Sequence, residues 1–449
     1  MQKRWIILFV ALLSVGFLGL FYSGHEGVFT DIDSNLNFAD IAWMITATIF
    51  VLMMTPGLSF FYGGMVRSKN VISTMLQSFI AMGVISVIWV VVGFSLAFGE
   101  DVGHFIGNPG TFFMFMHVGG ATDKLLAPTI PLALYALFQM KFAIITPSLI
   151  TGSFAERVRF SGYLVFMILF CIFVYCPLAH WTWHPDGFLR QMGVLDFAGG
   201  IVVHASSGVA ALAGAIFLGR RKESGQPANI PFVLLGAAML WLGWFGFNAG
   251  SSLAANSIAV KAFLNTNTAS ATAMMTWVVF DCLRGRKPSA MGAAIGAVVG
   301  LVAITPSAGY VTVGESIFIA LVVTIICNMA VSWKNKKNSF DDALDVFPTH
   351  GVGGIVGTIM TGIFVYNASE NITYWQNLLN HIIAVVIVCG YTFIVTYALY
   401  WITDKMIPMR VSEKSEKIGL DMSQHDERYG IETNRELAEY FDHGVDTKP

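Results

Sequence analysis

DFAGGIVVHASSGVAALAGAIFLG, residues 196–219, opens on a carboxylate, carries a histidine at position 204 and then runs on uncharged for the length of a bilayer-spanning helix. DVFPTHGVGGIVGTIMTGIF, residues 345–364, repeats the pattern, with Asp345 ahead of His350 and a glycine-rich apolar run behind it. An ionisable side chain inside hydrocarbon costs about 2.5 kcal/mol or more, so a histidine there faces a partner or a pathway rather than lipid. The rest of the chain has to account for two such costs.

Composition sets the solvent. Of 449 residues 55% are hydrophobic and only 12% charged, and the mean hydropathy is +0.66. No water-facing surface can be built from such a mixture, so the chain is a polytopic membrane protein rather than a set of soluble domains. The net charge of −2 identifies no partner, and no nucleic-acid partner is expected. The five cysteines lie in apolar runs without metal-type spacing and read as small buried hydrophobes. No nucleotide-binding loop, metal cluster or nucleophile elbow appears, so the sequence calls for no cofactor, metal or catalytic residue. A hydrolase using His204 or His350 as base would lack an activated nucleophile.

Outward from the histidine segments, apolar stretches of about twenty residues fall near 41–64, 72–98, 127–152, 160–180, 197–219, 231–251, 268–284, 289–306, 311–333, 347–366 and 379–403. Each is long enough to cross a hydrocarbon core at about 1.5 Å per residue. The reading is therefore an all-α protein of eleven transmembrane helices. Arg67, Lys69, Arg157, Arg159, Arg220–Lys222, Arg284–Lys287 and Lys334–Lys337 supply the basic residues of one set of alternate loops, against Lys124, Arg190 and Lys261 in the other set. That bias puts the N-terminus outside and the C-terminus in the cytoplasm, in a cell (inner) membrane.

MQKRWIILFVALLSVGFLGLFYSG (1–24) reads as a signal peptide, with Lys3 and Arg4 ahead of an apolar run and no A-x-A site behind it. A retained first helix is the competing reading. Residues 25–40 then form an external leader, 41–405 the membrane domain and 406–449 a cytoplasmic tail.

Eleven spans divide as five plus five plus one, the arithmetic of an inverted repeat, and the histidine spans are then the fifth and tenth. A two-fold axis in the membrane plane would bring His204 and His350 together near its middle. Two imidazoles in contact share a proton, which suits a small solute able to gain or lose one and is a poor site for K⁺, which asks for oxygen ligands. Gly292, Gly296 and Gly300, and likewise Gly243, Gly246 and Gly250, mark faces where helices approach closely.

Six motifs carry a family resemblance: GLSFFYGGMVRSKN (57–70), ITGSFAERVRF (150–160), DFAGGIVVHASSG (196–208), GWFGFNAGSS (243–252), KPSAMGAAIGAVVGLVAITPSAGYV (287–311) and DVFPTHGVGGIVGTIMTGIF (345–364). Together they resemble the Amt branch of the Amt/Mep/Rh ammonium transporters, in order, from about residue 39 to 430. The resemblance implies ammonium recruitment at Trp183, Phe138 and Ser251, a gate of stacked rings at Phe138 and Phe247, Asp196 as a supporting carboxylate, and a pore lined by the His204–His350 pair. It implies a homotrimer with a pore in each subunit. An aromatic face attracts a small cation, an independent reason for Trp183 at a mouth.

Carrying ammonium intact through an apolar lumen is very unfavourable, so the implied mechanism deprotonates it behind the gate and passes neutral ammonia. Lys141 departs from the family pattern. It is read either as a snorkelling or subunit-pairing lysine or as a charge that blocks conduction, which would leave an ammonium sensor signalling through its tail. GLDMSQHDERYG (419–430) resembles the family's tail motif, with Asp426 where glycine is usual, and implies contact with a PII-type signalling protein. The acidic stretch 432–446 and the sequons at Asn367 and Asn371 are weaker signals.

Overall fold

The computed structural model describes residues 2–22, 29, 33–337, 339–365 and 372–430. Every predicted span is helical. The helices are Phe38–Met65, Ser68–Phe98, Leu132–Ile150, Phe160–Gln191, Gly200–Leu218, Ile230–Ser252, Ser257–Leu283, Ala290–Ile304, Val313–Lys337, the run from Phe347 to Phe364, and Tyr374–Met406. Eight of these are long and apolar enough to cross a bilayer unaided, as is Trp5–Tyr22 near the N-terminus. The three that fall short are the 257–283 helix, the short 290–304 helix and the 347–364 run. These three pack on their neighbours, and the chain is a multi-pass membrane protein.

Local chemistry sets the helix starts. Asn37 accepts from the N–H groups of Ala39 and Asp40, so the first body helix opens at Phe38, inside the predicted leader. Asn229, Asn256 and Ser289 cap three later helices in the same way, and Thr373 with Gln376 forms a capping box. The helix Gln2–Tyr22 leaves its apolar residues exposed, and Tyr22 edges onto Phe113 at 5.4 Å.

Both predicted glycine stripes lie at helix crossings. A Cβ at Gly246 would stand 2.5 Å from Ala47 O, and one at Gly296 would stand 2.6 Å from Trp277 Cβ. Glycine lets these backbones meet where lipid supplies no hydrophobic drive for association.

The inverted repeat is visible in reciprocal contacts. Gly208, four residues after His204, lies against Gly351, which follows His350. Gly354, four residues after His350, lies against Ala205, which follows His204. Each histidine sits in a π-helical turn, Gly200–Ala205 or Phe347–Gly351, that opens its helix. The crossing point of the two halves is therefore also where the imidazoles meet.

The tail packs more closely than a solvated extension would. Arg159 N–H donates to Met409 O, Val411 N–H to Arg157 O, and Leu420 N–H to Asn70 Oδ1. Asp421 accepts from Ile72 and Ser73 at the start of a body helix. It lies on the basic face, beside a network joining Arg67, Glu156, Arg221 and Asp341. Burial pushes the Asp341 carboxyl up, but its bonds to Arg221 and the nearby Arg157 charge outweigh that and hold it at about 2. Asp426 has φ +56°, a left-handed position that glycine adopts without strain. The 432–446 stretch, Asn367 and Asn371 lie outside the described residues.

Candidate permeation site

Asp196 builds the first half of the site. Its Oδ1 accepts from Gly199 and Gly200 and its Oδ2 from Ile201 and Val202, so the carboxylate caps the turn that bears His204. Its backbone carbonyl accepts the Trp183 indole N–H at 3.0 Å. One residue thus orients both the histidine turn and the indole.

The second half corrects one pairing. The carboxylate equivalent to Asp196 is Asp342, not Asp345. Asp342 Oδ2 accepts from Phe347 N–H at 2.7 Å, five residues on, just as Asp196 Oδ2 accepts from Ile201. Each carboxylate stands eight residues before its histidine. Asp345 instead adopts φ +60° and pairs with Lys334, tying the 313–337 helix to the His350 turn.

His204 and His350 face each other, Nδ1 to Nδ1 at 3.3 Å, with ring centroids 5.4 Å apart. Only one of two facing nitrogens can carry the hydrogen, so the pair holds one proton between them. Trp244 stacks on His204 at 5.2 Å and is held by its N–H to Thr305 Oγ1. Both imidazoles line an apolar cavity of about 10 Å³, the space of a single water-sized molecule, walled by Leu58, Leu149, Leu240, Trp244 and Phe247. His204 Nε2 is buried without a hydrogen-bond partner among the described residues.

A second cavity, of about 310 Å³, lies on the far side of Phe247. Gln139, Phe142, Trp183, Asp196, Ser251 and Tyr310 line it, with Arg190 at the same wall. Trp183 meets the Phe142 ring edge-on at 5.8 Å. Ser251 Oγ donates to Phe247 O, which leaves its lone pairs without a donor among the described residues.

The ring pair between the cavities is Phe142 on Phe247, at 4.3 Å and 31°. Phe138, expected in that stack and in the recruitment site, lies one helical turn away. It is 1% exposed, sits against Gly250 and meets Phe142 edge-on at 5.0 Å. Positions 138 and 142 share a helix face, so the resemblance located the face but not the turn. Lys141 lines neither cavity. It is 8% exposed, and its Nζ has one described contact, Met140 Sδ at 3.8 Å. Sequence reasoning missed Phe142 and Asp342. The repeated eight-residue Asp-to-His spacing was the available signal for Asp342.

Fold and site define a class: a helical membrane protein of two inverted halves, with two cavities separated by stacked rings and a histidine pair at the crossing. The family model described as Ammonium Transporter Family matches residues 42–429. The chain is 44% identical over 402 residues to the putative ammonium transporter of Methanothermobacter thermautotrophicus, covering 87% of this chain and 98% of that one. The crystal structure of Candida albicans Mep2 matches with a TM-score of 0.81 at 34% identity, covering 94% of each chain. A structure described as "Sensor Amt Protein" matches at 0.80 and 30% identity, covering 86% of this chain and 98% of that one. The chain belongs to the ammonium transporter family.

Proposed function

We propose that the chain carries ammonium across the membrane by recruiting NH₄⁺, removing a proton and passing NH₃ along the histidine pair. The observation that carries this reading is the imidazole contact in a one-molecule apolar cavity, closed from the wider polar cavity by Phe142 and Phe247. Trp183, the Phe142 face and the Ser251 oxygen suit a small cation in the outer cavity. Beyond the rings the walls are apolar apart from the imidazoles, so an intact ion would lose its solvation there. Asp196 serves as a positioning residue through the half-helix and the indole. Phe138 backs the gate rather than forming it.

Lys141 lies outside both cavities, which favours conduction over a sensor that cannot conduct. The bias of basic residues toward one set of loops supports a cytoplasmic tail, whose docked motif is then available to a PII-type protein. Residues 1–24 are a cleaved signal segment whose exposed helix leaves the packed body intact on removal. Three copies assemble, each with its own pore. The test is ammonium-driven change of luminal pH in proteoliposomes, comparing the wild type with His204→Leu and His350→Leu. A fast wild-type response that both variants lose supports the reading, and a wild type no faster than empty liposomes refutes it.

A further inference from the structure

His204 is held by its ring face rather than by its nitrogens. Its Nδ1 meets His350 at 3.3 Å, and its Nε2 has no hydrogen-bond partner among the described residues. Among those residues, then, no carboxylate or carbonyl fixes the ring, the task such groups usually perform for a functional histidine. What lies along it is Trp244, with centroids 5.2 Å apart and planes 19° from parallel. Phe247 touches the same imidazole at a wider 5.9 Å and 32°. The plane of the indole thus governs the plane of the histidine.

The indole is in turn anchored by a chain of buried side chains. Trp244 N–H donates to Thr305 Oγ1 at 2.9 Å. The Thr305 hydroxyl spends its hydrogen on Leu301 O at 2.7 Å, one turn back, so a lone pair faces the indole. Asn248 Oδ1 stands 3.3 Å from the same oxygen, and Asn248 Nδ2 donates to Thr266 Oγ1 at 2.9 Å. Thr266 gives its own hydrogen to Ala262 O, which fixes the direction of the amide. Thr266, Asn248 and Thr305 are each 0% exposed, and none of them lines either cavity. The residue after Thr305 adds a second hold. Pro306 O accepts the Phe197 N–H at 3.0 Å, and a Cβ at Gly200, where the His204 turn begins, would stand 2.5 Å from Pro306 Cβ. One short stretch therefore grips His204 both through its stacking partner and through its turn.

We infer that Thr305 is a positioning residue for the histidine pair: its hydroxyl sets the Trp244 plane, and that plane turns His204 Nδ1 toward His350. The inference rests on the transport reading for its effect on flux, but the ring contact can be observed without flux. A buried indole N–H deprived of its acceptor is costly, so without the hydroxyl the ring tilts toward another acceptor and the imidazole follows.

The experiment compares the wild type with Thr305→Val, which keeps the shape and removes the hydroxyl, and Thr305→Ser, which restores it. Both Thr305 variants are also made in a Trp244→Phe background, where no indole N–H needs an acceptor. Thr305→Val is expected to lower the maximal ammonium flux into proteoliposomes about fivefold, the worth of one neutral hydrogen bond, with the half-saturating concentration unchanged because the outer cavity is untouched. Thr305→Ser should recover most of that loss, and in the Trp244→Phe background Thr305→Val should cost nothing further. Solid-state ¹⁵N spectra of the histidine-labelled full chain, assigned by difference from His204→Leu, should show the His204 Nδ1 signal displaced in Thr305→Val and restored in Thr305→Ser. An unchanged signal in Thr305→Val overturns the inference. So does a flux loss as large with Thr305→Ser, or as large in the Trp244→Phe background, either of which would mark a packing role. A wild type without flux sinks the transport reading instead and leaves the nitrogen spectra to decide the positioning.

Discussion

Gly354→Ala bears most directly on the crossing of the two halves. An alanine Cβ there would lie 2.6 Å from Ala205 N, 2.7 Å from Gly200 O and 3.0 Å from His204 Cβ. The nearest atoms are backbone and cannot rotate away. Ordinary contact begins at 3.4 Å, so the halves must part by about 3.4 − 2.6 = 0.8 Å at this point. Displaced by that amount along their contact, His204 and His350 would move from 3.3 Å to about 4.1 Å, beyond hydrogen-bond range. Overpacking of this kind costs about 1–3 kcal/mol, which a long helical body survives. The expected result is a folded protein with a lowered melting temperature and ammonium flux reduced at least about tenfold. Gly390→Ala is the control, since apart from its own helix backbone no described atom lies within 4 Å of its Cβ position; there the helix preference of alanine over glycine, about 1 kcal/mol, is the main change. A Gly354→Ala protein that conducts at the wild-type rate would refute the claim that the crossing sets the histidine contact and that the contact serves permeation.

Phe142→Leu should impair the barrier between the cavities and alter flux several-fold, whereas Phe138→Leu should chiefly lower stability, by about 1–2 kcal/mol for a core ring replaced by a smaller side chain; flux and melting curves of the two variants separate these roles. Lys141→Met should leave ammonium flux within about twofold of the wild type, because the amine borders neither cavity. A large gain of flux in liposomes would restore the reading of a charge-blocked pore. Tail docking should depend on pH through Asp421, whose carboxyl burial pushes up to about 6, against an ordinary 3.8, despite the N–H bonds it accepts. The docked state then binds the proton more tightly. Its contribution is full below 3.8 and is lost as pH rises through about 6, a span worth up to about 3 kcal/mol. Burial lowers His425, which works in the opposite sense, so the comparison is between wild type and Asp421→Asn. Hydrogen exchange over 409–430 should show wild-type docking strengthened relative to Asp421→Asn at pH 5.5 compared with pH 7.5.

The span pattern was legible because a helix that must satisfy its backbone within a bilayer has a length and a composition that ordinary turns do not. The histidine contact was legible too, since Asp-to-His segments in the fifth and tenth spans leave an inverted repeat little choice about where they meet. What escaped was resolution below one helical turn. Phe138 and Phe142 present the same face to the same neighbours, and only packing against Gly250 decides which ring is the inner one. Asp345 precedes His350 as Asp196 precedes His204, but the nearer carboxylate is drawn off by Lys334, a partner on another helix. The docking of the tail was not legible because its anchors, Asn70 and the Ile72–Ser73 amides, lie some 350 positions away in the chain.

The central claim is that nothing charged crosses between the ring pair and the histidines. It is met most directly by imposing equal inward gradients of ammonium chloride and potassium chloride on the same proteoliposomes and recording luminal pH and membrane current. The account predicts a protein-dependent response to ammonium and none to potassium above that of empty liposomes. A potassium current comparable to the ammonium response would contradict it.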